Sequence, residues 1–345
     1  MMTPTMEALV WLGPRKMELR REPVPTPEPG EVIVAVAVVG ICGSELSGYL
    51  GQNSLRKPPL IMGHEAAGWI AFDSNATLSD GSPARAGVRV TFNPLLTCGV
   101  CDRCRAGKSN LCRNRQLISA HRPGAFATYV AVPARLCVPL PDHVSLTLGS
   151  LTEPLACSVR AVAHTGAPKR LAILGAGPIG LLCLVAARAA GIEYILVTDV
   201  SDRRLAVARA WGATATVNAR HNVLNAVQAF APGGADAVID AVGLTVTRDQ
   251  AVRAVTPGGR VVFIGLHEEE SMLPANYIVR QEISVTGSFT YSDNDFARAL
   301  ALLAEGHVSL DGDWLEERPL ATGPAAFEEL LAGATHAAKI VLRVA

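Results

Sequence analysis

The sequence lacks a surplus of charge of either sign, because its 31 lysines and arginines balance its 31 aspartates and glutamates. A formal charge of zero argues against the phosphate backbone of a nucleic acid or an anionic membrane as the main partner. A long apolar run is also missing, since the longest stretch, VIVAVAVVGIC at residues 32–42, is too short to span a bilayer. We therefore expect neither a nucleic acid nor a membrane among the partners.

The first thirty residues lack the apolar core of an export signal, since proline and charged residues interrupt them. The expected compartment is therefore the cytoplasm, where stable disulfides are rare. Short-period repeats and low-complexity tracts are absent from the sequence as well. A chain of 345 residues is too long for one typical core, which predicts two domains.

The character of the sequence changes near residue 152. Before this point, strand-like segments such as AAGWIAF and FATYVAV are separated by proline and glycine, which is typical of a mostly-β module. After it, apolar strand candidates alternate with helical segments, beginning with RLAIL, LLCLVAARAAG and YILVTDV. This alternation predicts βαβ units around a parallel sheet. The last fifty residues could extend that sheet or return to the first module, and periodicity does not decide between these alternatives.

A glycine-rich turn lies between the first strand and the first helix of the second part. Gly175, Gly177 and Gly180 have G-x-G-x-x-G spacing. In such a turn the first glycine permits a tight bend, the second lets a pyrophosphate approach the backbone, and the third allows close helix packing. Pro178 suits a first helical turn, whose free N–H groups favour an anion. The pattern predicts a dinucleotide site, and the alternative is a glycine-rich turn in another α/β protein.

Asp199 lies nineteen residues after Gly180, at the end of the next strand candidate. A carboxylate at this place can accept hydrogen bonds from both ribose hydroxyls and repels a 2′-phosphate, which favours NAD over NADP. Arg203 and Arg204 follow closely and could contact such a phosphate, so NADP is the alternative cofactor.

Half of the eight cysteines crowd into one segment with the spacing C-x2-C-x2-C-x7-C, at Cys98, Cys101, Cys104 and Cys112. Four thiolates at these intervals can surround one Zn²⁺ tetrahedrally, which leaves no room for a substrate. The metal would then hold together a lobe that has little apolar core. An iron–sulfur cluster and a redox C-x-x-C pair are alternatives, although four cysteines exceed what a redox pair needs.

Other residues that bind zinc in proteins lie in separate segments, with Cys42 in GICGSE, His64 and Glu65 in GHEAAG, and Glu153 in EPLAC. A catalytic zinc site uses about three such ligands and leaves one position for water or substrate. Each residue is uninformative alone, since a lone cysteine is usually buried in a core and a lone glutamate usually faces solvent.

Together these motifs resemble the zinc-containing medium-chain dehydrogenases/reductases of the alcohol dehydrogenase superfamily, in the branch of sorbitol, threonine and polyol-phosphate dehydrogenases. The similarity covers essentially the whole chain and rests on GICGSE, GHEAAG, the four-cysteine segment, EPLAC, GAGPIG with Asp199, and the ending AKIVLRV. It implies an α/β chain in which residues 1–152 and 290–345 form a GroES-like, mostly-β catalytic domain with a structural zinc lobe at about 93–114. Residues 153–289 would form an inserted Rossmann domain with a doubly wound parallel sheet.

The resemblance also implies two zinc sites. Cys42 and His64 are expected to ligate a catalytic zinc, while Glu65 and Glu153 supply the remaining carboxylate, with Glu153 ranked first for the resting site. The four clustered cysteines, Cys98, Cys101, Cys104 and Cys112, are expected to hold a structural zinc.

Ser44, two residues after Cys42, matches the family position whose hydroxyl bonds the reacting oxygen and begins a proton relay. The alternative is that Ser44 only caps a turn. Many relatives carry a histidine five residues after the cysteine, where this chain has Ser47, so the proton has to leave by another route. Lys339 is near the family position of a basic residue that reaches the pyrophosphate, and a solvated lysine is the alternative.

The dinucleotide is expected to contact the glycine turn, the ribose carboxylate and the ends of later sheet strands. The residues assigned to it are Gly175, Gly177, Pro178, Ile179, Gly180, Asp199, Arg204, Val242, Gly243, Leu266, Ser288 and Phe289.

The chain is accordingly expected to transfer hydride between a small secondary alcohol or polyol, or its ketone, and NAD(H), with the alcohol activated as a zinc-bound alkoxide. L-Threonine 3-dehydrogenase or sugar-alcohol-phosphate dehydrogenase activity is an alternative. A non-catalytic zinc- and nucleotide-binding scaffold is a further alternative, which the complete set of Cys42, His64 and Glu153 disfavours. By resemblance, the chain is expected to form a homodimer or homotetramer.

Overall fold

The computed structural model of the protein describes residues 4–344. Within this range the chain forms eighteen β-strands. In chain order they are β1 (Thr5–Gly13), β2 (Lys16–Pro23), β3 (Glu31–Gly40), β4 (Leu60–Ile61), β5 (Glu65–Ile70), β6 (Arg89–Phe92), β7 (Leu95–Leu96), β8 (Gln116–Leu117), β9 (Tyr129–Pro133), β10 (Cys137–Pro139), β11 (Arg170–Leu174), β12 (Tyr194–Asp199), β13 (Ala215–Asn218), β14 (Ala235–Asp240), β15 (Val255–Phe263), β16 (Ser284–Gly287), β17 (Leu315–Pro319) and β18 (Lys339–Arg343).

The same residues form eleven α-helices. They are α1 (Gly43–Tyr49), α2 (Asp102–Arg105), α3 (Leu146–Ser150), α4 (Thr152–Ala163), α5 (Pro178–Ala189), α6 (Asp202–Ala210), α7 (Val223–Phe230), α8 (Thr245–Ala254), α9 (Ala275–Arg280), α10 (Asp293–Ala304) and α11 (Gly323–Ala332). No helix in the described range is long and apolar enough to cross a membrane.

The described residues fall into two compact units. The first contains the chain up to Glu153, the short stretch Leu303–Glu305, and everything from Leu315 onward. The second contains Pro154–Leu302 and Gly306–Trp314. Apart from the short stretch Leu303–Glu305, the chain leaves the mostly-β unit once and returns to it, which is the order of an inserted domain.

The domain division near residue 290 stays a prediction. In the structure most of helix α10 belongs to the second unit. Its Asp295 forms an ion pair with Arg160 of α4 at 3.2 Å, and its Phe296 packs against Tyr291 with ring centroids 5.6 Å apart. These contacts hold most of α10 within the second unit.

The first unit is built on a seven-stranded sheet with the order β10-β6-β5-β3-β18-β17, in which β9 also pairs with β3. Strand β3 is central because nearly all of its residues are buried, as expected for the valine-rich run that the sequence shows there. Its core continues through large buried side chains such as Trp11, Phe92, Phe126 and Phe327.

The second unit is built on a six-stranded sheet with the order β13-β12-β11-β14-β15-β16, and every neighbouring pair is parallel. Strand β11 is the first strand of this sheet along the chain. Strands β12 and β13 follow on one side of it, and strands β14, β15 and β16 follow on the other. This reversal produces a crevice outside the carboxyl ends of the strands, where ligands of such sheets bind. The alternating strands and helices that the sequence predicts are all present in this unit.

Candidate active site

Three neighbouring strands of the seven-stranded sheet bring the first site together. Gly40, the last residue of β3, pairs with Glu65 in β5 on one side and with Val341 in β18 on the other. His64 directly precedes β5, and Cys42 follows β3 as the N-cap of α1. Residues distant in sequence are therefore delivered to one place by the ends of adjacent strands.

Cys42, His64 and Glu65 form a cluster in which each residue offers one ligand atom, and these atoms all lie within 4.8 Å of one another. His64 and Glu65 are buried, and Cys42 is half-buried. A thiolate, an imidazole nitrogen and a carboxylate oxygen at this separation can surround one Zn²⁺ with a coordination position to spare. The donor set therefore fits a catalytic zinc ion.

Glu45 fixes the orientation of the His64 ring. The fully buried Glu45 carboxylate lies 2.9 Å from Nδ1 of His64 and accepts the backbone N–H groups of Gly63 at 2.6 Å and Cys42 at 3.1 Å. The hydroxyl of Ser119 lies 3.1 Å from the same ring nitrogen. Because Nδ1 is engaged, Nε2 is the nitrogen left to bind a metal.

Opposing effects set the protonation of this pair. Burial opposes ionisation of Glu45, but the positive charges of His64 and Arg56 outweigh it and hold the pKa of the carboxyl below its usual value. Burial also opposes a charged His64, but the negative charges of Glu45 and Cys42 outweigh it and hold the pKa of the imidazole well above its usual value. A proton therefore competes with a metal for this ring, and metal binding releases it.

Ser44 lies beside the metal cluster, in the first turn of α1. Its hydroxyl donates to the sulfur of Cys42 at 3.5 Å. The buried guanidinium of Arg56 donates to the Ser44 carbonyl at 3.1 Å and to its hydroxyl at 3.4 Å. By contrast, the Ser47 hydroxyl donates to the Gly43 carbonyl at 3.4 Å, inside the same helix. The N-cap of α1 is Cys42, so Ser44 does not cap this helix.

Lys339, the first residue of β18, is 2 % exposed. Its ammonium forms an ion pair with Glu65 and donates to the Ile41 carbonyl at 3.0 Å. Burial disfavours the charged ammonium, but the negative charges of Glu65 and Cys42 outweigh it and raise the pKa of Lys339 above its usual value. The alternative of a solvated lysine is wrong, because this side chain has a carboxylate partner in the core.

Glu153 lies in the first turn of α4 and is 6 % exposed. It is not a member of the cluster that the described residues form within 4.8 Å. The structure thus brings Glu65, rather than the higher-ranked Glu153, together with Cys42 and His64. The role of Glu153 as a ligand stays a prediction.

The second metal cluster consists of the four cysteines of the loop around α2. The ligand atoms of Cys98, Cys101, Cys104 and Cys112 all lie within 4.8 Å of one another. Cys112 is fully buried, and its sulfur lies 3.5 Å from that of Cys98. All eight cysteines of the chain lie in the described range and none forms a disulfide. Four sulfurs at these separations fit a closed tetrahedral Zn²⁺ site.

Backbone N–H groups stabilise charged sulfur in this lobe. Hydrogen bonds from the N–H groups of Val100 and Cys101 lower the pKa of Cys98. Those of Arg113 and Cys104 lower the pKa of Cys101 to about 6. Burial has the opposite effect on Cys104, whose pKa rises to about 12. Donors aimed at sulfur favour the thiolate form that a metal requires.

The glycine turn follows β11, and Gly177 is the N-cap of α5 with Pro178 at its start. A Cβ added to Gly180 would overlap the backbone carbonyl of Gly175, whereas one added to Gly177 would meet nothing within 4 Å. Gly180 is therefore needed for packing, and Gly177 faces open space that a pyrophosphate could enter.

Asp199 ends β12, and its carboxylate accepts the N–H of Ala176 at 2.7 Å and that of Ser201 at 2.8 Å. The carboxylate thereby ties the glycine turn to the start of α6. Arg204 is half-buried in α6, and Arg203 is exposed.

The other residues assigned to the cofactor lie at the same edge, because the carboxyl ends of parallel strands meet there. Val242 and Gly243 follow β14, Leu266 follows β15, and Ser288 and Phe289 follow β16. Leu266 is 73 % exposed, while Ser288 is buried. The structure collects these residues on one edge of the sheet, and their contact with a cofactor stays a prediction.

Sequence reasoning missed Glu45, Ser119 and Asp240. Glu45 had a signal, because it lies three residues after Cys42 and closes a capping box at the start of α1. Asp240 is fully buried at the end of β14, where it accepts the N–H of Gly243 at 3.1 Å and orders that turn. Ser119 had no signal, because its contact with His64 joins residues 55 positions apart.

Comparison with known proteins places this architecture among metal-dependent oxidoreductases. The family model described as "Alcohol dehydrogenase GroES-like domain" matches residues 28–142, and that described as "Zinc-binding dehydrogenase" matches residues 178–305. An L-idonate 5-dehydrogenase of Vitis vinifera is 33% identical over 311 residues, which cover 87% of this chain and 84% of the relative. D-xylulose reductase A of Aspergillus oryzae is 32% identical over 332 residues, which cover 92% of this chain and 89% of the relative.

The crystal structure of 2R,3R-butanediol dehydrogenase from Bacillus subtilis is similar with a TM-score of 0.88 and 28% identity, covering 99% of this chain and 100% of that chain. The chain belongs to the family of zinc-binding, medium-chain alcohol dehydrogenases. The predicted family, fold class and enzyme class are thereby confirmed, as is the expectation of zinc and a nicotinamide cofactor at the level of the family. The preference for NAD over NADP stays a prediction.

Substituting the two glycines separates packing from cofactor access. Gly180→Ala should lower the free energy of unfolding by about 1–3 kcal/mol, because its Cβ would overlap the Gly175 carbonyl. Gly177→Ala, the matched control, should lower it by less than about 1 kcal/mol, because alanine is a poorer N-cap than glycine, but should weaken NADH binding. Urea unfolding and NADH fluorescence titration measure the two effects, and equal loss of stability in both variants would contradict this assignment.

Glu45→Gln should weaken zinc binding about 10- to 100-fold, because the amide no longer holds Nδ1 of His64 with a negative charge. Metal content after dialysis against graded chelator measures the loss. Glu31→Gln is the control, since Glu31 is a buried carboxylate paired with Arg122 at 2.6 Å and belongs to neither metal cluster. Equal zinc retention in both variants would show that Glu45 does not support the metal ligand.

Proposed function

We propose that this protein is a zinc-dependent dehydrogenase that oxidises a secondary alcohol of a polyol or sugar acid with NAD⁺ and reduces the corresponding ketone with NADH. The observation that carries the proposal is the clustering of Cys42, His64 and Glu65, with Nδ1 of His64 held by a buried carboxylate. The names of the relatives support the substrate class, because idonate, xylulose and butanediol all have neighbouring oxygen-bearing carbons.

Cys42 and His64 would hold the catalytic zinc, with a carboxylate from Glu65 or Glu153. When bound, Zn²⁺ supplies a Lewis acid that lowers the pKa of an alcohol and polarises a carbonyl. Glu45 keeps the imidazole in one tautomer, and Cys98, Cys101, Cys104 and Cys112 would hold a second zinc that stabilises their lobe.

The hydroxyl of Ser44 would hydrogen-bond the reacting oxygen of the substrate. Arg56 supports this role, because its guanidinium donates to both the carbonyl and the hydroxyl of Ser44 and so limits its movement. Ser47 takes no part in a relay through α1, because its hydroxyl already donates to the Gly43 carbonyl. The proton would then leave by solvent near Ser44 or through Glu153.

The carboxyl edge of the parallel sheet would bind NAD. The N-terminus of α5 favours the pyrophosphate, and Gly177 leaves room for it. Asp199 would accept the ribose hydroxyls, since its carboxylate is held at the mouth of the glycine turn by two backbone N–H groups.

We also propose the domain division at residues 152 and 290, a cytoplasmic location and a homodimer or homotetramer.

A substrate screen tests the reaction. We expect NADH formation with one or more members of a panel of polyols, sugar acids, sugar-alcohol phosphates, vicinal diols and L-threonine. Activity should disappear in Cys42→Ser, and metal analysis should fall from two zinc ions per chain to one. Cys98→Ser is expected to lose the other zinc. Oxidation that survives complete removal of metal would defeat the zinc mechanism, and zinc and NADH binding without turnover of any panel member would favour the scaffold alternative.

Asp199→Asn tests the cofactor preference. We expect the ratio of kcat/KM for NAD⁺ to that for NADP⁺ to fall at least tenfold, because the carboxylate that repels a 2′-phosphate is gone. Asp236→Asn is the control, since that carboxylate accepts the Arg170 N–H at 2.8 Å at the opposite edge of the same sheet. A wild-type protein that prefers NADP⁺ would contradict the assignment to NAD.

A further inference from the structure

Arg56 is a buried cation beside the candidate metal site. It lies in the loop between α1 and β4 and is 4 % exposed. Its Nε donates to the Ser119 carbonyl at 3.1 Å, and its Nη1 donates to the Ser44 carbonyl at 3.1 Å. Its Nη2 donates to both hydroxyls, to that of Ser44 at 3.4 Å and to that of Ser119 at 3.3 Å. All four acceptors are uncharged oxygens, so in these contacts the guanidinium acts as a rigid fork between two serines.

The backbone around Arg56 is adapted to this position. Gly48 lies within α1, and a Cβ there would come within 2.5 Å of Cδ of Arg56. A glycine inside a helix costs stability relative to alanine, and here the missing side chain leaves room for the arginine. Ser119 is fully buried and has a φ of 85°, in the left-handed region that residues other than glycine rarely adopt. Such strain persists where the surroundings hold it, and Arg56 bonds both the carbonyl and the hydroxyl of Ser119.

The two hydroxyls that Arg56 contacts reach the candidate metal ligands. The hydroxyl of Ser44 donates to the Cys42 sulfur at 3.5 Å. The hydroxyl of Ser119 lies 3.1 Å from Nδ1 of His64. One guanidinium is therefore separated from each of these ligands by a single serine side chain.

The Ser44 hydroxyl has one hydrogen and two acceptor positions. Arg56 occupies one acceptor position and holds the oxygen, while the hydrogen is donated to the Cys42 sulfur. Sulfur is a weak hydrogen-bond acceptor. A substrate oxygen that binds the same metal as Cys42 can therefore compete for this hydrogen.

We propose that Arg56 is a positioning residue that holds the Ser44 oxygen in place, so that its one hydrogen serves the Cys42 sulfur in the empty site and the reacting oxygen when substrate is bound. This inference rests on the proposed function, in which Cys42 holds the catalytic zinc. Only the hydrogen has to turn when substrate enters. A donor placed in advance stabilises negative charge on the reacting oxygen better than one that must first be oriented.

The absorption of cobalt(II) in place of zinc tests the proposal without any substrate. The sulfur-to-cobalt charge-transfer absorption that is missing from Cys42→Ser belongs to this site. A hydrogen bond to the sulfur stabilises the electrons that are transferred, so its loss in Ser44→Ala should move this band to longer wavelength. Arg56→Met should move the band in the same direction, because the hydroxyl is no longer held toward the sulfur.

The double variant Ser44→Ala/Arg56→Met separates positioning from general structural support. Its band should coincide with that of Ser44→Ala, because Arg56 acts on the sulfur through the hydroxyl. Arg89→Met is the control and should keep the wild-type band. Arg89 is a half-buried arginine of the same unit, and it donates to backbone carbonyls of the segment 141–144.

Arg56→Lys retains the buried positive charge, so it should fold even if Arg56→Met does not. An ammonium lacks the planar fork that reaches both serines. Its cobalt band should therefore move in the same direction as that of Ser44→Ala. A wild-type band in Arg56→Lys would show that charge alone is sufficient, and it would overturn the assignment of a positioning role to the guanidinium.

Steady-state kinetics with a substrate from the panel supply a second readout. Arg56→Met should lower kcat at least tenfold while the KM of the alcohol stays within about threefold of wild type, because the Ser44 hydrogen bond strengthens as charge develops on the oxygen. The double variant should lose less than the product of the two single losses, since both changes remove the same interaction.

An Arg56→Met band at the wild-type wavelength would overturn the proposal, and so would a double variant shifted well beyond Ser44→Ala. Failure of the proposed function is distinguishable from these results. It would appear as the absence of any cobalt band sensitive to Cys42→Ser, or as a lack of nicotinamide-linked oxidation in a wild-type protein whose cobalt spectra follow the pattern above.

Discussion

The buried carboxylate of Glu45 is the contact on which the catalytic centre depends. It accepts the backbone N–H groups of Cys42 and Gly63 and faces Nδ1 of His64, so one side chain joins the loop after β3 to the loop before β5. A carboxylate without these partners would be costly at zero exposure. Its partners are the candidate ligands Cys42 and His64 and the residue next to His64, Gly63. The interactions that keep Glu45 charged therefore also fix the positions of the groups that would bind the metal.

The dinucleotide edge depends on a different constraint, which is the direction of the strands. Six parallel strands place the residues that follow β11, β12, β14, β15 and β16 along one edge. Buried carboxylates order the turns at this edge. Asp199 accepts the N–H of Ala176 in the glycine turn and that of Ser201 after β12, and Asp240 accepts the N–H of Gly243 in the turn before α8.

Much of the fold and of the metal chemistry could be predicted from local pattern. The spacing of Cys98, Cys101, Cys104 and Cys112 indicated one four-sulfur site, since a short loop can wrap only a small volume. Motifs offered two carboxylates to accompany Cys42 and His64, and only the structure shows that Glu65 lies within 4.8 Å of both. The ranking of Glu153 stays a prediction. The ion pair of α10 with α4 is likewise not visible in periodicity, because it joins residues far apart in the sequence.

The sequence by itself determined the ligand types, the glycine turn, the alternation of strands and helices, and thereby the family, because these depend on residues that are near one another along the chain. Tertiary structure alone decided that Lys339 is buried against Glu65, that Arg56 holds Ser44, and that Ser119 reaches His64. Each of these contacts joins strands or loops that meet only after the sheet has formed. The physical reason is sheet register. The pattern of side chains along the sequence does not specify which residues of distant strands pair with one another, so contacts that depend on this pairing appear only in the folded structure.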